Sequence, residues 1–486
     1  MNIKTLLIPV VCTMSINTLQ ANSLKTVVSD VLDTNPVVME RLRNYKATRE
    51  EVDIAEAGYY PTLDLQSSVG QKSTGRISND VAEETYDVFQ NSLILRQNVF
   101  SGFSTEEQVN YQKMRTLAAS YSYLEKANDV TLQTIKVYLD LFKEQELLKN
   151  SQINVDHNQK LYTKVRKAFD AGLTTRSEVS KINASLSLAK SNMMVQKNRV
   201  STSMFNFRRV TGHFISLDTL QTVKFDLTLP RSLEKATMYA LEYNPSLLVG
   251  KYNIKGAEAL YRESKSTFFP KVDLELSGNY NDNFSEFQGK DDRVQGMVVL
   301  SYNLLNGGAD EASRRNKLSK LGQEVEVTND LKRQVIEGID LSWGAYELAL
   351  DQIPFLRDYK EQSIETLKLY SKEYDLGERS LLDLLSAEND LKRAKDESAS
   401  VKYNLLLSKY RILDAMGLTM ASIMGNVEEY YHRVGVNTNG ERPAHDTLPI
   451  SYDTDNDGVV SNKDNCDNST NNNGVFPFGC AKKYTF

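Results

Sequence analysis

Tyr60-Pro61-Thr62-Leu63-Asp64-Leu65 returns later in the chain as Phe269-Pro270-Lys271-Val272-Asp273-Leu274. The second copy follows 209 positions after the first, Tyr60 to Phe269, and Asn35-Pro36 returns at the same offset as Asn244-Pro245. In each copy a proline closes an upstream helical segment and opens an alternation of period two. Val272, Leu274 and Leu276 fall on one side of it, and Asp273, Glu275 and Ser277 on the other. Leu63 and Leu65 alternate in the same way with Asp64 and Gln66. These are strands with one aliphatic and one polar face.

Working outward, Asn98-Val99-Phe100-Ser101-Gly102 recurs as Asn303-Leu304-Leu305-Asn306-Gly307. Asp170-Ala171-Gly172 recurs as Asp375-Leu376-Gly377 and Gly212 as Gly417, all at an offset of 205, as in Gly212 to Gly417. A unit this long is a duplicated multi-element module rather than a solenoid turn of roughly 20–50 residues. The offset changes only between Asp273 and Asn303, so the length difference belongs to a surface loop, where insertions cost little.

Each copy reads helix, strand, loop, strand, long helix, tight turn, helix. Residues 23–58 are helical in period and end at Pro61. Residues 71–87 carry no apolar period and read as an exposed loop. A second strand follows from about Val88 to Phe100, with Phe89, Leu93 and Leu95 set against Gln90, Ser92 and Arg96; its copy runs from about Val294 to Leu305. No Pro or Gly interrupts Phe103 to Ala171, so this stretch predicts a rod of roughly 100 Å at 1.5 Å per residue. Leu117, Tyr121, Leu124, Ile135, Tyr138 and Phe142 give it the three- and four-residue spacing of packed helices. Gly172 breaks the rod, and a return helix runs from about Ser177 to Val210, stopping at Gly212. The second rod starts near Ala309, breaks at Gly377 and returns to Gly417; Pro354 should kink it, whereas its counterpart Lys149 would not kink the first.

The chain has 486 residues and a net charge of −6, which gives no reason to expect nucleic acid. Lys4, the apolar stretch Leu6 to Met14 and Leu19-Gln20-Ala21 read as an export signal with its cleavage site. Cys12 lies inside that stretch, and Val10-Val11 before it lack the small residues of a lipidated cysteine. Past the signal, no apolar run is long enough for a membrane-spanning helix. His157, His213, His432 and His445 are scattered, and no nucleophile, phosphate or zinc motif accompanies them, so an enzyme is not expected. Trp343 and the many tyrosines read as interhelix packing.

Four strands are too few for a closed barrel, which needs about eight. Either they form a small sheet against something else, or several chains pool them. The acidic face argues for pooling around a wet lumen lined by Asp64, Asp273 and Glu275.

The order of elements, the duplication and the junction motifs over about residues 23–425 resemble the TolC-like outer-membrane efflux family. The strand-to-helix junctions Asn98 to Gly102 and Asn303 to Gly308 match its apolar pair followed by Gly. Phe169 to Leu173 and Tyr374 to Ser380 match its periplasmic turns. The resemblance implies a mainly α fold with a membrane β-barrel contribution. In it, long antiparallel coiled-coil helices form a trimeric α-barrel, and each chain gives four strands to a shared 12-stranded outer-membrane barrel. It further implies a homotrimer set in outer-membrane lipid and reaching into the periplasm. That trimer would be a passive exit duct, gated at its tip, for protein secretion (type I) or small-molecule efflux. A periplasmic membrane-fusion adaptor and an inner-membrane ABC or proton-driven pump would work with it. The alternative is a structural or adhesive periplasmic coiled coil without a pore.

By the same resemblance Tyr374 and Arg379 fall on gating positions, Ser177 and Glu178 on the positions they contact, and Asp383 on an acid lining the constriction. A second acid one turn on is replaced here by Ser386. Glu178 and Asp383 each follow their turn glycine by six residues, so the duplication sets an acid at the same place twice. Solvated helix ends carry such charges too.

The composition shifts after residue 425. Asp453-Thr454-Asp455-Asn456-Asp457-Gly458-Val459, with Asp464 at position twelve, matches a calcium loop in which Val459 gives its carbonyl. In an oxidising compartment Cys466 and Cys480 are expected to pair. The segment resembles thrombospondin type 3-like calcium repeats; a disordered acidic tail with a disulfide is the alternative. The chain then divides into a signal peptide (1–21), a first repeat (22–216), an inter-repeat linker (217–230), a second repeat (231–425), a linker (426–450) and a calcium-binding, disulfide-closed tail (451–486).

Overall fold

The computed structural model describes residues 23–74, 84–214, 219–283, 289–436 and 451–452. The first repeat comprises α1 (Leu24–Thr34), α2 (Pro36–Glu56), β1 (Thr62–Thr74), β2 (Glu84–Phe100), α3 (Ser104–Asp170) and α4 (Arg176–Thr211). After β3 (Leu227–Thr228), the second comprises α5 (Leu233–Tyr243), α6 (Pro245–Glu263), β4 (Lys271–Asp282), β5 (Lys290–Ser301), α7 (Ala309–Asp375) and α8 (Leu381–Ala415). Two short helices, α9 (Thr419–Met424) and α10 (Glu428–His432), and β6 (Ser451–Tyr452) follow. Among the described residues, no helix is long and apolar enough to cross a membrane.

The duplicated Asn-Pro pair explains itself in three dimensions. Asn35 and Asn244 each cap the helix that their proline opens, accepting from Val37 N at 3.0 Å and Ser246 N at 2.9 Å. Their side-chain amides reach back to the last turns of the return helices, Asn35 to the Val210 carbonyl at 3.1 Å and Asn244 to the Ala415 carbonyl at 2.8 Å. One side chain therefore closes each repeat, start to end. The single helix expected over 23–58 accordingly breaks at Asn35, because proline cannot continue α1 but suits the first position of α2.

The four strands form one antiparallel sheet in the order β1-β2-β4-β5. Its register places Leu63 and Leu65 beside Leu95 and Leu93, Leu95 beside Leu276, and Leu274 beside Val298. An apolar face thus runs across all four strands, exposed to as much as 73% at Leu65 and 90% at Val294. On the opposite face Thr62, Arg96, Glu275 and Met297 form one row, and Gln66, Ser92, Asn279 and Arg293 another. The outer edges of β1 and β5 have no partner strand among the described residues.

Three boundaries differ from expectation. β1 continues to Thr74 and β2 begins at Glu84, so the loop expected over 71–87 is shorter. Polar residues extend a ladder where both faces meet water, and no apolar period marks them. β5 stops at Ser301 rather than near Leu305, and Leu304 and Leu305 are exposed. Residues 428–436, expected within a linker, pack instead: Tyr430, Tyr431, Val434 and Val436 are buried in the main core.

That core is a belt around the middle of α3. Tyr123, Leu124, Ile135 and Tyr138 of α3 meet Ile412, Leu413 and Met416 from the end of α8, with α1 and α10 closing over them. Tyr138 Oη donates to the Gln221 carbonyl at 2.6 Å and pins the connection between the repeats. Away from the belt the helices run as hairpins, α3 against α4 and α7 against α8. Both rods have 67 residues, about 100 Å. Pro354 lies inside α7, which continues as helix on both sides of it.

Gly212 and Gly417 end the return helices at φ +80° and +74°. A Cβ on Gly417 would meet Pro245 Cδ at 2.3 Å, whereas one on Gly212 would meet nothing within 4 Å. Gly212→Ala should therefore cost about 1–2 kcal/mol from backbone strain alone. Gly417→Ala should cost roughly 1–3 kcal/mol more, because the Pro245 ring must move. Thermal unfolding of the two variants side by side checks the order.

Candidate functional site

The two helical hairpins turn at the same end of the molecule. α3 and α7 end in identical caps: Gly172 N donates to Phe169 O at 2.9 Å and Leu173 N to Ala168 O at 2.8 Å, while Gly377 N donates to Tyr374 O at 3.1 Å and Glu378 N to Glu373 O at 2.9 Å. Beneath the turns Val165, Ile182, Leu381 and Leu385 form a small buried cluster joining the hairpins, with Tyr374 packed on its edge.

The residues named for the gate sit around this cluster. Tyr374 is half-buried, and Lys164 Nζ lies 5.6 Å from its ring centroid. Burial raises its phenol pKa, and the nearby Glu178 charge raises it further. Glu178 itself accepts a short hydrogen bond from Thr174, and Ser177 is exposed beside Thr175. Asp383 occupies the first turn of α8 in a reciprocal cap: Ser380 Oγ accepts from Asp383 N at 3.2 Å and donates to Asp383 Oδ2 at 2.8 Å. Ser386 is exposed one turn on. Arg379 is occupied inside its own turn. It donates from Nε to Glu373 at 2.8 Å and stacks over Tyr370, 4.2 Å from the ring centroid. The Glu373 hydrogen bond holds its guanidinium pKa above the ordinary value. Within the chain, then, Tyr374 lies near Glu178, and Arg379 holds Glu373 rather than Ser177 or Glu178.

Sequence reading missed Glu373 and Tyr370, and also a polar seam where α3 meets the second hairpin. Along it Glu146 accepts from Lys402 at 3.1 Å and Tyr403 at 3.0 Å, Asn150 donates to Asp396 at 3.0 Å, His157 faces Glu388 at 3.0 Å, and Lys164 pairs with Asp375. Burial lifts the Glu388 carboxyl above its usual range, against the pull of His157. The available signal was the interval of seven between Asn150, His157 and Lys164, polar residues set at coiled-coil spacing.

The acids named for a lumen share the polar face of the sheet. Asp273 is buried and accepts from Asn98 at 2.8 Å, Glu275 pairs with Arg96 at 3.3 Å, and Asp64 is exposed near the β1 edge. Asp453, Asp455, Asp457, Val459, Asp464, Cys466 and Cys480 lie outside the described residues, as does the expected signal peptide.

A sheet that is apolar on one face and polar on the other, carried on paired 100 Å rods, defines an outer-membrane channel subunit. The family described as "Outer membrane efflux protein" matches residues 27–213 and 238–418. The chain belongs to this family. It is 24% identical over 395 residues to the outer membrane efflux protein BepC of Brucella suis biovar 1, covering 79% of this chain and 84% of that one. It is 21% identical over 413 residues to the outer membrane protein TolC of Escherichia coli K12, covering 82% and 83%. Its fold matches the crystal structure of the Campylobacter jejuni CmeC outer membrane channel with a TM-score of 0.73 at 15% identity, over 85% of this chain and 90% of that one. The chain is thus a bacterial outer-membrane efflux channel protein that extends into the periplasm.

A half-exposed Arg–Glu pair contributes only about 0–1 kcal/mol, and Arg379 makes its pair inside its own turn, so its loss should leave the fold intact. Tyr374→Phe with Arg379→Ser removes the phenol hydroxyl and frees Glu373. The gating role that the resemblance implies predicts that single-channel conductance in planar bilayers rises severalfold over the parent; an unchanged conductance assigns these residues no such role.

Proposed function

We propose that three copies of this chain close into one channel-tunnel, a passive exit duct whose periplasmic tip is gated. The observation that carries this reading is the pair of unpaired sheet edges. In hydrocarbon every backbone group must be satisfied, so β5 of one copy pairs with β1 of the next until the ring closes. Three copies supply twelve strands, enough to enclose a lumen wider than its side chains fill. The apolar faces then meet lipid, and Asp64, Asp273 and Glu275 face the lumen.

The rods fit the same closure. Val327, Leu341, Leu348, Phe355 and Leu369 of α7 are exposed and fall on one seven-residue register. That spacing is a coiled-coil seam awaiting a neighbour. α4 exposes Leu188, Val195 and Phe205, which suit the other side of it. At the tip, Tyr374, Arg379, Ser177, Glu178 and Asp383 would meet their counterparts around the threefold axis. Three Asp383 carboxylates near that axis attract cations, and Ser386 leaves that ring without a second tier. A periplasmic adaptor and an inner-membrane pump would supply energy and substrate, since the chain has no motif for either.

A fixed Met297→Cys on β5 can be combined with single cysteines scanned along β1, in a background with Cys466 and Cys480 replaced by Ser. Oxidation in outer-membrane fractions should give a covalent trimer for at least one position. A ladder that stops at the dimer, or monomer alone, overturns the threefold closure.

We also infer that Asp453, Asp455, Asp457, the Val459 carbonyl and Asp464 hold one Ca2+, with Cys466 and Cys480 closing the segment. The donor set is all oxygen, as a hard cation requires. Calorimetric titration of the full chain should show heat for one site, lost when Asp453 and Asp455 become Ala; no heat at millimolar calcium removes the site.

A further inference from the structure

A groove of about 970 Å³ lies between α7, α8 and the connection between the repeats. It is strongly basic. Lys395, Lys402 and Lys409 recur every seventh residue along α8, Arg357 and Lys360 face them from α7, and Lys224 comes from the connection. Only Glu146 and Asp226 oppose these six cations in the lining. Lys402 is paired with Glu146 at 3.1 Å, and Lys409 Nζ stands 4.8 Å over the Phe225 ring. Among the described residues, no acid lies within ion-pair distance of Lys224, Arg357, Lys360 or Lys395. Of these, Lys395 feels a further acid, Glu388, at longer range. Four cations without an ion-pair partner along one groove repel one another, and an anionic occupant removes that repulsion.

The chain brings such an occupant to the mouth. β6 pairs antiparallel with β3, Tyr452 against Leu227 and Ser451 against Thr228. Antiparallel to β3, β6 thus points from Tyr452 along the connection toward Val223–Phe225, which line the groove. Residues 453–467 carry five aspartates, Asp453, Asp455, Asp457, Asp464 and Asp467, against the single Lys463. From Lys395 to Lys409 along α8 is about 21 Å at helical rise, and fifteen residues reach up to roughly 50 Å extended. Length, direction and charge all agree.

We propose that, in its calcium-free state, the acidic segment 453–467 docks in this basic groove of its own chain. The segment is thereby a strap across the second helical hairpin, running from the edge of the core belt down the side of the rods. Its aspartates meet the heptad lysines of α8, and the β3–β6 pairing fixes where it starts.

Hydrogen exchange of the full-length protein in chelator tests the contact. Amides of 453–467 should exchange roughly tenfold slower than in Lys224→Glu/Lys360→Glu/Lys395→Glu, as an opening equilibrium requires. Reversing the tail as well, with Asp453, Asp455 and Asp457 each changed to Lys, should restore the protection. Asp453→Asn/Asp455→Asn/Asp457→Asn leaves the groove untouched and should lose protection too, so a folding defect of the groove variant does not decide the matter. A photoreactive residue in place of Lys360 should cross-link to 453–467 of the same chain. Equal exchange in all variants, or cross-links only to another protein or to another copy, overturns the proposal.

Discussion

A sheet with two open edges cannot stay in a membrane. Each outward N–H and C=O on β1 and β5 would face hydrocarbon, at several kcal/mol apiece. The rest of the architecture follows from that constraint. The strands alternate because one face must meet lipid and the other water. Arg96 and Asn98 of β2 hold Glu275 and Asp273 of β4, so the two hairpins of one chain are joined before any second chain arrives. α7 leaves its heptad stripe uncovered for the same reason that β5 leaves its edge unpaired: a single chain is one sector of a wall.

Duplication supplies the sector with two nearly equal halves, and the differences between them are local. The Asn35 and Asn244 clamps are the same device used twice. At the strand-to-rod junction the copies part: Gly308 takes φ +82° at the start of α7, and Phe103 takes φ +71° at the start of α3. A non-glycine residue there is strained by about 1–2 kcal/mol. The Phe103 ring offsets this by packing edge-on against Phe100 at 5.4 Å and Phe269 at 5.9 Å, which also ties the first rod to the second hairpin.

Elements with a strong period were legible in the sequence. Leu63, Leu65, Leu274 and Leu276 marked the sheet faces, an uninterrupted run of helix formers marked the first rod, and the repeat carried that reading to the second. The break at Asn35 was written in the local Asn35-Pro36 pair but masked by the helical period around it; the polar extension Gln71–Thr74 and the packing of Tyr430 and Tyr431 carry no period, because each depends on a partner strand or helix rather than on its own pattern. The candidate site divides in the same way. Tyr374 and Glu178 come together around the buried cluster, which the helix pattern prepares. The seizure of Arg379 by Glu373 depends on the shape of a single turn, and neither periodicity nor the duplication encodes it: at the positions that Glu373 and Arg379 hold, the first copy has Ala168 and Thr174.

This asymmetry bears on how the tip works. Val165, Ile182, Leu381 and Leu385 hold the two hairpins of one chain together by burial, which neither salt nor a partner's charges readily undo. The charges above them are exposed and individually weak. A partner arriving at the tip therefore meets two layers of different strength. It can exchange the outer ion pairs at little cost while the apolar layer keeps each chain's hairpins aligned. An opening of the tip would then move α7 and α8 relative to neighbouring chains more easily than it would separate α8 from α3, because the half-buried contacts Asn150–Asp396 and His157–Glu388 reinforce that second contact.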